Sequence, residues 1–507
     1  MTSFRLQTVA FAGVETLAID VQIALTSGLP NFVLVGLPDK AVGESRERVR
    51  AALSTMGLAM PSKRIVVNLA PADVQKEGSH YDLPIALAVL AAMGLIPADI
   101  LQRYVTLGEL ALDGRISGVN GTLPTAMHAL EKNMGLICPA ANGPEAAWVD
   151  GLDILAADSL TALLNHIKGT QLLPRPNPPI AAPAPEGARD WRDIKGQAVA
   201  KRAMEIAAAG GHNILLIGPP GSGKSMLSSR LPGILPPLSP REALEVSVIH
   251  SLAGQLRNGA IKSERPYRDP HHSASLAALI GGGLRAMPGE ISLAHRGVLF
   301  LDELPEFQRG ALEALRQPIE SGQALIARAN AHITYPAQFQ LVAAMNPCRC
   351  GYLDDPAQAC SKAPRCGQDY QSKISGPIFD RIDLHVDVPA MPAHELAQGQ
   401  GGEDSATVRA RVTAARELAQ GRFTALNAAA TCNAHADGKI LEAIAPLNTE
   451  CQAMLNDAAE RFKLSARGYH RIWRVARTIA DLAHAADIEK THLAEALGYR
   501  RVAVTGY

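Results

Sequence analysis

The sequence predicts a multidomain α/β protein whose centre is a parallel sheet with a phosphate-binding loop. A glycine-rich segment, 218–225, follows an apolar run that is typical of a buried strand, 213–217. A second apolar run, 297–303, ends in two acids, as expected of a strand whose carboxyl end faces a ligand. A proline-rich segment at 174–185 and an alanine-rich, helical pattern after residue 392 mark the two ends of this central unit.

The glycine-rich segment matches the phosphate-loop pattern G-x-x-x-x-G-K-[ST] in full. Its residues are Gly218, Pro219, Pro220, Gly221, Ser222, Gly223, Lys224 and Ser225. In such a loop, backbone N–H groups surround phosphates at the start of a helix. Lys224 can then reach the β- and γ-phosphates, and the Ser225 hydroxyl can bind Mg²⁺. A chance glycine-rich turn is the alternative, but the strand before it and the helical pattern after it favour a nucleoside triphosphate site.

The acids that end the second run predict hydrolysis of the nucleotide. We expect Asp302 to hold Mg²⁺ through water and Glu303 to polarise the attacking water. A third apolar run, 339–346, ends in Asn346. Either run alone would be an ordinary strand end, but together with the upstream loop they predict an ATPase site.

Arg381 lies between two acids, Asp380 and Asp383, at a predicted helix or loop edge. An arginine supplied by a neighbouring subunit can stabilise the transition state of phosphoryl transfer, and Arg381 is the candidate for that role. A structural ion-pair cluster of Arg381 with the two acids is the alternative, and the two roles are compatible.

The composition limits the class of protein. The chain has 507 residues, enough for about three domains, and 49 basic residues balance 49 acidic ones. This balance argues against a globally basic nucleic-acid binder but allows a local basic surface. No run of 18 apolar residues predicts a membrane span, and the first residues lack the pattern of a secretory signal. We therefore expect a cytoplasmic protein.

Four of the seven cysteines fall within 19 residues, in the pattern C-x-C-x9-C-x5-C. They are Cys348, Cys350, Cys360 and Cys366. In a reducing compartment such a cluster indicates metal before disulfide, and four thiolates suffice for a structural zinc site. A loop of free cysteines beside Asn346 is the alternative.

The same patterns divide the chain into four parts. They are an N-terminal domain (1–168), a linker (169–189), the ATPase (190–392) and a helical C-terminal domain (393–507). In the last part, Arg467, Arg471 and Arg474 are spaced to share one helix face. They can reach nucleotide phosphates or a nucleic-acid backbone, and a solvated basic face is the alternative.

Together with the ATPase motifs, the segments 270–273, 288–297 and 373–377 resemble those of the Mg-chelatase-like AAA+ family, most closely its ComM/YifB branch. The resemblance implies ATP, Mg²⁺ and a homo-hexameric ring with an insert between Val248 and Leu293 that points to the pore. It also implies a bacterial DNA helicase that drives branch migration during natural transformation, with recombination proteins as partners. A motor acting on a protein or metal-chelatase client is the alternative.

Carried over by position, the family resemblance assigns further roles. Asn346 becomes the sensor that orients the attacking water, Arg381 the arginine finger and Arg467 the second sensor. The family's cysteine pattern commonly ends in C-x-C, whereas five residues separate Cys360 and Cys366 here. In the insert, the candidate DNA contacts are Lys262, Arg265, Arg268 and Arg285. The neighbouring pair His271 and His272 is interpreted as structural or as part of a subunit contact.

The N-terminal domain resembles the Lon protease domain, a ribosomal S5 domain 2-like α+β fold, most clearly at 108–116. That enzyme class uses a serine activated by a lysine. Here Asp82, or His80 if no gap is allowed, stands at the serine position and Leu123 at the lysine position. We therefore expect no peptidase activity, and a role as a DNA-binding or assembly platform instead.

Overall fold

The computed structural model describes residues 3–179, 189–283, 286–327, 332–353, 360–392 and 402–500. Three parts are named here by their described residues: the N-terminal region (3–179), the central region (189–392) and the C-terminal region (402–500). Part of the predicted linker, the segment 393–401 and Arg285 lie outside the described residues.

The N-terminal region is built on a mixed sheet of seven strands, in the order β3-β4-β2-β1-β5-β8-β9. The strands of the whole region are β1 Ser3–Ala12, β2 Glu15–Thr26, β3 Asn31–Val35, β4 Arg64–Ala70, β5 Tyr104–Thr106, β6 Glu109–Leu110, β7 Ile116–Ser117, β8 Gly135–Pro139 and β9 Ile154–Ala157. Of these, β6 and β7 pair only with each other. Its helices are α1 Lys40–Thr55, α2 Asp82–Ala92, α3 Ala98–Leu101, α4 Thr122–Glu131, α5 Gly143–Ala146 and α6 Leu160–Ile167. Helix α2 is apolar all round and therefore lies in the core, where its first nine residues are buried.

The central region contains a five-stranded sheet in the order β11-β14-β17-β10-β18, and every pair in it is parallel. The strands of this region are β10 Ile214–Ile217, β11 Tyr267–Arg268, β12 Gly281–Gly282, β13 Met287–Pro288, β14 Val298–Leu301, β15 Gln323–Ala327, β16 His332–Pro336, β17 Gln340–Met345 and β18 Leu384–Asp387. The short strands pair as β12–β13 and β15–β16. A parallel sheet needs cover on both faces, which explains why its three central strands, β10, β14 and β17, are buried throughout and almost entirely apolar.

Helices cover this sheet and continue into the C-terminal region. In the central region they are α7 Ala198–Gly210, α8 Lys224–Ile234, α9 Pro240–Leu252, α10 Leu276–Ile280, α11 Glu290–Leu293, α12 Arg309–Ala314, α13 Arg316–Ser321, α14 Arg365–Gln371 and α15 Gly376–Phe379. In the C-terminal region they are α16 Ser405–Ala425, α17 Gly438–Ile444, α18 Thr449–Arg461, α19 Ala466–Leu482 and α20 Lys490–Gly498. One cluster of buried apolar residues runs from Trp191 to Tyr499, so the central sheet and the C-terminal helices share a core. The expected α/β architecture with a parallel sheet and a helical C-terminal region is confirmed.

The N-terminal region is held against the central region by one buried and one half-buried hydrogen bond. The Ser251 hydroxyl donates to Glu145 Oε1 at 2.5 Å, and the Trp148 indole donates to the Gly259 carbonyl at 2.9 Å. A Cβ at Gly254 would lie 2.6 Å from Asn120 Oδ1, so a larger residue there would displace the Asn120 side chain. In the part of the chain that the structure describes, no helix is both long enough and apolar enough to cross a membrane.

Candidate nucleotide site

Three neighbouring strands of the central sheet end at the same edge. Strand β10 leads into the glycine-rich loop, β17 lies beside it and ends before Asn346, and β14 follows and ends before Asp302. Because the strands are parallel and in register, Ile217 pairs with Met345 and their carboxyl ends meet. The sheet thus brings together the three segments that the sequence analysis selected.

Lys224 is the first residue of α8 and lies inside the glycine-rich loop. Its ammonium group donates to the carbonyls of Gly218 at 2.7 Å and Pro219 at 2.8 Å, and to Asn346 Oδ1 at 3.2 Å. Burial lowers the pKa of Lys224, although Asp302 and Glu303 act in the opposite direction. A buried cation whose direct hydrogen-bond partners are all neutral oxygens is well suited to bind a phosphate.

The loop can only form this cradle because glycine occupies its left-handed positions. Gly221 and Gly223 have φ values of +76° and +94°, where other residues are strained. A Cβ at Gly218 would lie 2.0 Å from the Val388 carbonyl, so glycine is required at this position as well. The first N–H groups of α8 therefore face the space enclosed by the loop.

Ser225 and Asp302 fit a site for Mg²⁺. The Ser225 hydroxyl donates to Asp302 Oδ2 at 2.9 Å, across 77 residues of sequence. Octahedral Mg²⁺ binds oxygen at about 2.0–2.1 Å, so neighbouring ligand oxygens stand about 2.9 Å apart. The oxygen pair has the right chemistry and spacing for this ion.

Glu303 has a left-handed backbone conformation, with φ +52° and ψ +47°. Such a conformation is uncommon for a residue with a side chain and is often found at functional sites. Glu303 Oε2 lies 3.3 Å from Nδ1 of His272, which the sequence analysis interpreted only as structural or as a subunit contact. The adjacency of β11 and β14 in the sheet creates this contact, and no local sequence pattern indicates it.

A cavity of about 550 Å³ opens beside these groups. Five of its lining residues are Ser225, His272, Asp302, Glu303 and Arg230. The two acids and the Ser225 hydroxyl therefore face one space that is open to a further group.

Arg381 and Arg467 share a single carboxylate. Arg381 is 6% exposed, and its guanidinium lies 2.6 Å from Glu320 Oε1 and donates to the Pro377 carbonyl at 2.6 Å. Arg467 lies 3.4 Å from the same Glu320 oxygen, with 59% of its side chain exposed. The two arginines are therefore neighbours. The sequence could not show this, because Glu320 is far from both in the chain.

The alternative ion-pair cluster around Arg381 does not form as predicted. Asp383 instead contacts Arg471 Nε at 3.3 Å, and Asp380 contacts Arg500 Nη2 at 3.6 Å. Arg471 is itself buried, so it cannot face a nucleic-acid backbone or form part of a solvated basic face.

Two of the basic residues proposed as DNA contacts in the insert are structural. Arg265 donates to the carbonyls of Pro236 and Arg296, each at 2.6 Å. Arg268 forms a bidentate pair with Glu290 at 2.5 and 2.7 Å. Both side chains are already paired, and that of Arg265 is only 9% exposed, so a contact with nucleic acid would have to replace these bonds.

Three of the four clustered cysteines form one group, which does not include Cys360. The Sγ atoms of Cys348, Cys350 and Cys366 all lie within 4.8 Å of one another. The pKa of the Cys350 thiol is lowered to about 6. The largest cause is a hydrogen bond with Cys348, and hydrogen bonds from backbone N–H groups, including that of Cys360, lower it further. Tetrahedral zinc with bonds of about 2.3 Å places its sulfurs about 3.8 Å apart, so the group fits a zinc site.

Asp82, which the sequence analysis compared with a protease nucleophile, forms a structural ion pair with Arg48. Asp82 is fully buried and contacts Arg48 at 2.6 Å, and it accepts a hydrogen bond from the backbone N–H of Leu110. Leu123 is also fully buried, and Nε2 of His80 contacts the Val9 carbonyl. None of these three side chains offers the activated nucleophile of a serine–lysine pair.

Comparison with family models matches nearly the whole described chain. The model "Magnesium chelatase, subunit ChlI" covers residues 190–396, "Subunit ChlI of Mg-chelatase" covers 21–142, and "Magnesium chelatase, subunit ChlI C-terminal" covers 402–500. The three models together include every residue of the candidate nucleotide site.

Comparison with curated proteins finds relatives of the same length. An uncharacterized protein, YifB, of Salmonella typhimurium is 45% identical over 494 residues, which cover 97% of this chain and 96% of YifB. Competence protein ComM of Haemophilus influenzae is 45% identical over 496 residues, with the same coverage of both chains. The magnesium-chelatase 38 kDa subunit of Rhodobacter capsulatus is 29% identical over 171 residues, 30% of this chain and 49% of that subunit.

Proposed function

The chain belongs to the magnesium-chelatase-related family of AAA+ proteins, and we propose that it is an ATP-dependent DNA motor that drives branch migration in homologous recombination. The observation that carries the proposal is the end-to-end similarity to a protein named for competence. Family models named for the ChlI subunit match most of the chain, but the pairwise match to the chelatase subunit of Rhodobacter capsulatus covers only 30% of it. The integration of incoming DNA during natural transformation is the process that we assign to it, in a bacterial cytoplasm.

The geometry of the candidate site supports ATP hydrolysis. Lys224 would bind the β- and γ-phosphates inside the loop, with Asn346 beside it. Ser225 and Asp302 would hold Mg²⁺, which would neutralise charge on the phosphates. Glu303 would polarise the attacking water at the edge of the open cavity.

We propose that the active form is a homo-hexameric ring in which Arg381 reaches the nucleotide of a neighbouring subunit. Because Arg467 shares Glu320 with Arg381, both arginines would approach the same nucleotide. When Arg381 exchanges Glu320 for the γ-phosphate, it would stabilise the charge of the transition state. A single subunit would then be a poor ATPase.

We further propose that the cysteine cluster binds zinc and braces the loop after Asn346. A Cβ at Gly351 would lie 2.5 Å from Pro220 Cδ, so this loop packs directly on the phosphate loop. Zinc would act here structurally, without chemistry of its own.

The four-part division at 168, 189 and 392 remains our proposal for the domains. Within it, we propose a Lon-like N-terminal domain that binds DNA or assembles the ring. The buried contacts of Glu145 and Trp148 with the central region support a platform that moves with the motor. Partners such as a recombinase would bind to this N-terminal domain.

The test is ATP-dependent strand exchange on a synthetic three- or four-stranded DNA junction. We expect wild-type protein to resolve the junction with ATP and the Lys224→Ala variant to fail. If ATP is hydrolysed but no DNA changes either the turnover or the junction, the client is a protein or a metal-chelatase complex, and the DNA proposal fails.

A further inference from the structure

Arg381 lies at the edge of the central sheet that is opposite to the phosphate loop of the same subunit. It comes shortly before β18, which pairs in parallel with β10 from Leu384 beside Ile214 onward. The phosphate loop follows the carboxyl end of β10, whereas Arg381 precedes the amino end of β18. A strand of four residues separates these two edges by about 10 Å. The role of an arginine finger thus depends on the contacts that hold Arg381 at the amino edge of the sheet.

Asn213 connects Arg381 to this edge. It stands directly before β10, and its Nδ2 donates to the Arg381 carbonyl at 3.1 Å. Its Oδ1 accepts a hydrogen bond from the backbone N–H of Leu341, in β17, at 2.8 Å. The orientation of the amide follows from these partners, because the reversed amide would set donor against donor and acceptor against acceptor. One side chain therefore bridges the segment that carries Arg381 to a central strand.

The backbone of Asn213 is itself fixed by the same segment. Its N–H donates to Asp383 Oδ2 at 3.0 Å. Its carbonyl accepts hydrogen bonds from the N–H groups of Asp383 at 2.9 Å and Leu384 at 3.1 Å. Because the backbone cannot shift without breaking these bonds, the amide of Asn213 is a fixed point for the Arg381 carbonyl.

The side chain of Arg381 is held by contacts that it has to exchange when it binds a phosphate. Its guanidinium contacts the Pro377 carbonyl and Glu320, and its Nε is buried without a hydrogen-bond partner among the described residues. A phosphate would replace Glu320 as the anion. The bond with Asn213, by contrast, is made by the backbone of Arg381 and can persist through this exchange. It is therefore suited to fix where the side chain begins while its tip is bound elsewhere.

We propose that Asn213 is a positioning residue for Arg381, which holds the Arg381 backbone at the amino edge of the sheet while the guanidinium binds the nucleotide of the neighbouring subunit. This inference rests on the proposed function, in which Arg381 acts on that nucleotide. Asn213 then affects hydrolysis only through Arg381 and only in the adjoining site. Asparagine meets both requirements of its position, since a carboxylate would repel the Arg381 carbonyl and an alanine would leave that carbonyl and the Leu341 N–H unpaired.

The experiment measures kcat and KM for ATP in rings of Asn213→Ala and of Asn213→Asp. We expect both variants to lower kcat by about tenfold, the scale of one hydrogen bond, with KM within about twofold of wild type. The aspartate variant keeps the size of the side chain and the acceptor for Leu341. Asn213→Ala combined with Arg381→Ala should be no slower than Arg381→Ala alone, because the two residues act as one unit.

Mixed rings give a readout that a merely structural role would not change. Subunits of Lys224→Ala lack the ammonium group that binds phosphate but carry an intact Asn213 and Arg381. When they are mixed with Asn213→Ala, turnover per Asn213→Ala subunit should rise, because its site then receives a correctly placed arginine. A defect in the fold of the Asn213→Ala subunit would persist in the mixture.

Gln340→Met is the matched control, because Gln340 donates at the same edge of the sheet to the carbonyls of Ala207 at 2.9 Å and His212 at 2.8 Å. It should keep the wild-type kcat at a temperature where it is folded. An unchanged kcat in Asn213→Ala, an equal loss in Gln340→Met, a further loss in the double variant, or no gain in mixed rings overturns the inference. If Arg381→Ala also leaves kcat unchanged, the proposed arginine finger fails as well, so the two failures are distinguishable.

Discussion

The nucleotide site and the corner of the N-terminal region around Asp82 both contain a cation next to carboxylates, yet they differ in what remains open. At the nucleotide site, Lys224 bonds mainly to carbonyl dipoles, and Asp302 and Glu303 face a cavity. At the corner, Asp82 is fully buried and already satisfied by Arg48. Charge that is unmatched and accessible can bind a ligand, whereas charge that is matched and buried is structural.

Removal of the arginine finger should have the largest effect. We expect Arg381→Ala to lower kcat for ATP by about 10³-fold, since the transition state loses a positive charge. Mixing this variant with Lys224→Ala should restore part of the activity, because each subunit supplies what its neighbour lacks. A purely structural role for Arg381 on Glu320 predicts no recovery in mixed rings.

Glu303→Gln tests the accessible charge at the nucleotide site more directly. Loss of the group that polarises water should lower turnover by about 10²-fold or more while ATP still binds, so rings should stay ATP-bound on DNA. Glu306→Gln is the matched control, because Glu306 lies three residues away and pairs with Lys373. Unchanged hydrolysis in Glu303→Gln would contradict the role assigned to Glu303.

Asp82→Asn tests the buried, paired charge at the corner of the N-terminal region. When Asp82 loses its carboxylate, Arg48 loses its buried partner. We therefore expect the N-terminal region to lose about 3 kcal/mol of stability. Calorimetry should show a lower melting temperature, with kcat for ATP within about twofold of wild type at a permissive temperature. Asp113→Asn, at an exposed acid paired with Arg115, should change little. A selective loss of ATPase activity in Asp82→Asn would place the corner in the catalytic machinery.

The cysteine cluster would be a third kind of site, in which a bound metal cation would balance the negative charge of the thiolates. We expect about one zinc per chain in purified protein, measured by mass spectrometry, and loss of that zinc in Cys366→Ser. Cys138→Ser is the control, since Cys138 is buried in an apolar cluster and its thiol is not near the others. Equal zinc content in the two variants would contradict the assignment.

The central features of the nucleotide site could be predicted because they are local. The loop around Lys224 and the acids at the end of β14 are each readable within one segment, and a parallel sheet necessarily brings such segments to one edge. The expected family is confirmed by relatives that cover 97% of the chain.

The contacts that assign roles to side chains could not be predicted, because they join distant segments. Glu320 binds both Arg381 and Arg467, and Glu290 binds Arg268, yet no spacing rule connects these pairs. A basic residue in a sequence indicates charge but not whether a carboxylate already neutralises it. That is why the sequence could not show that Arg265 and Arg268 are already paired within the chain.

Glu145 gives the smallest and most specific effect, at the junction of the two regions. Burial raises its pKa above 4.5, although hydrogen bonds from Ser251, Leu123 and Asn142 act in the opposite direction. A raised pKa means that the folded state favours the protonated carboxyl. Stability is therefore lost as the pH rises from the ordinary pKa of the carboxyl through its raised pKa in the folded state. The wild-type melting temperature should therefore fall by about 2 °C more than that of Glu145→Gln between about pH 5 and about pH 8. Glu131→Gln, at an exposed acid that ends α4, should keep the wild-type slope. An equal pH slope in wild type and Glu145→Gln would show that the junction carries no buried carboxylate cost.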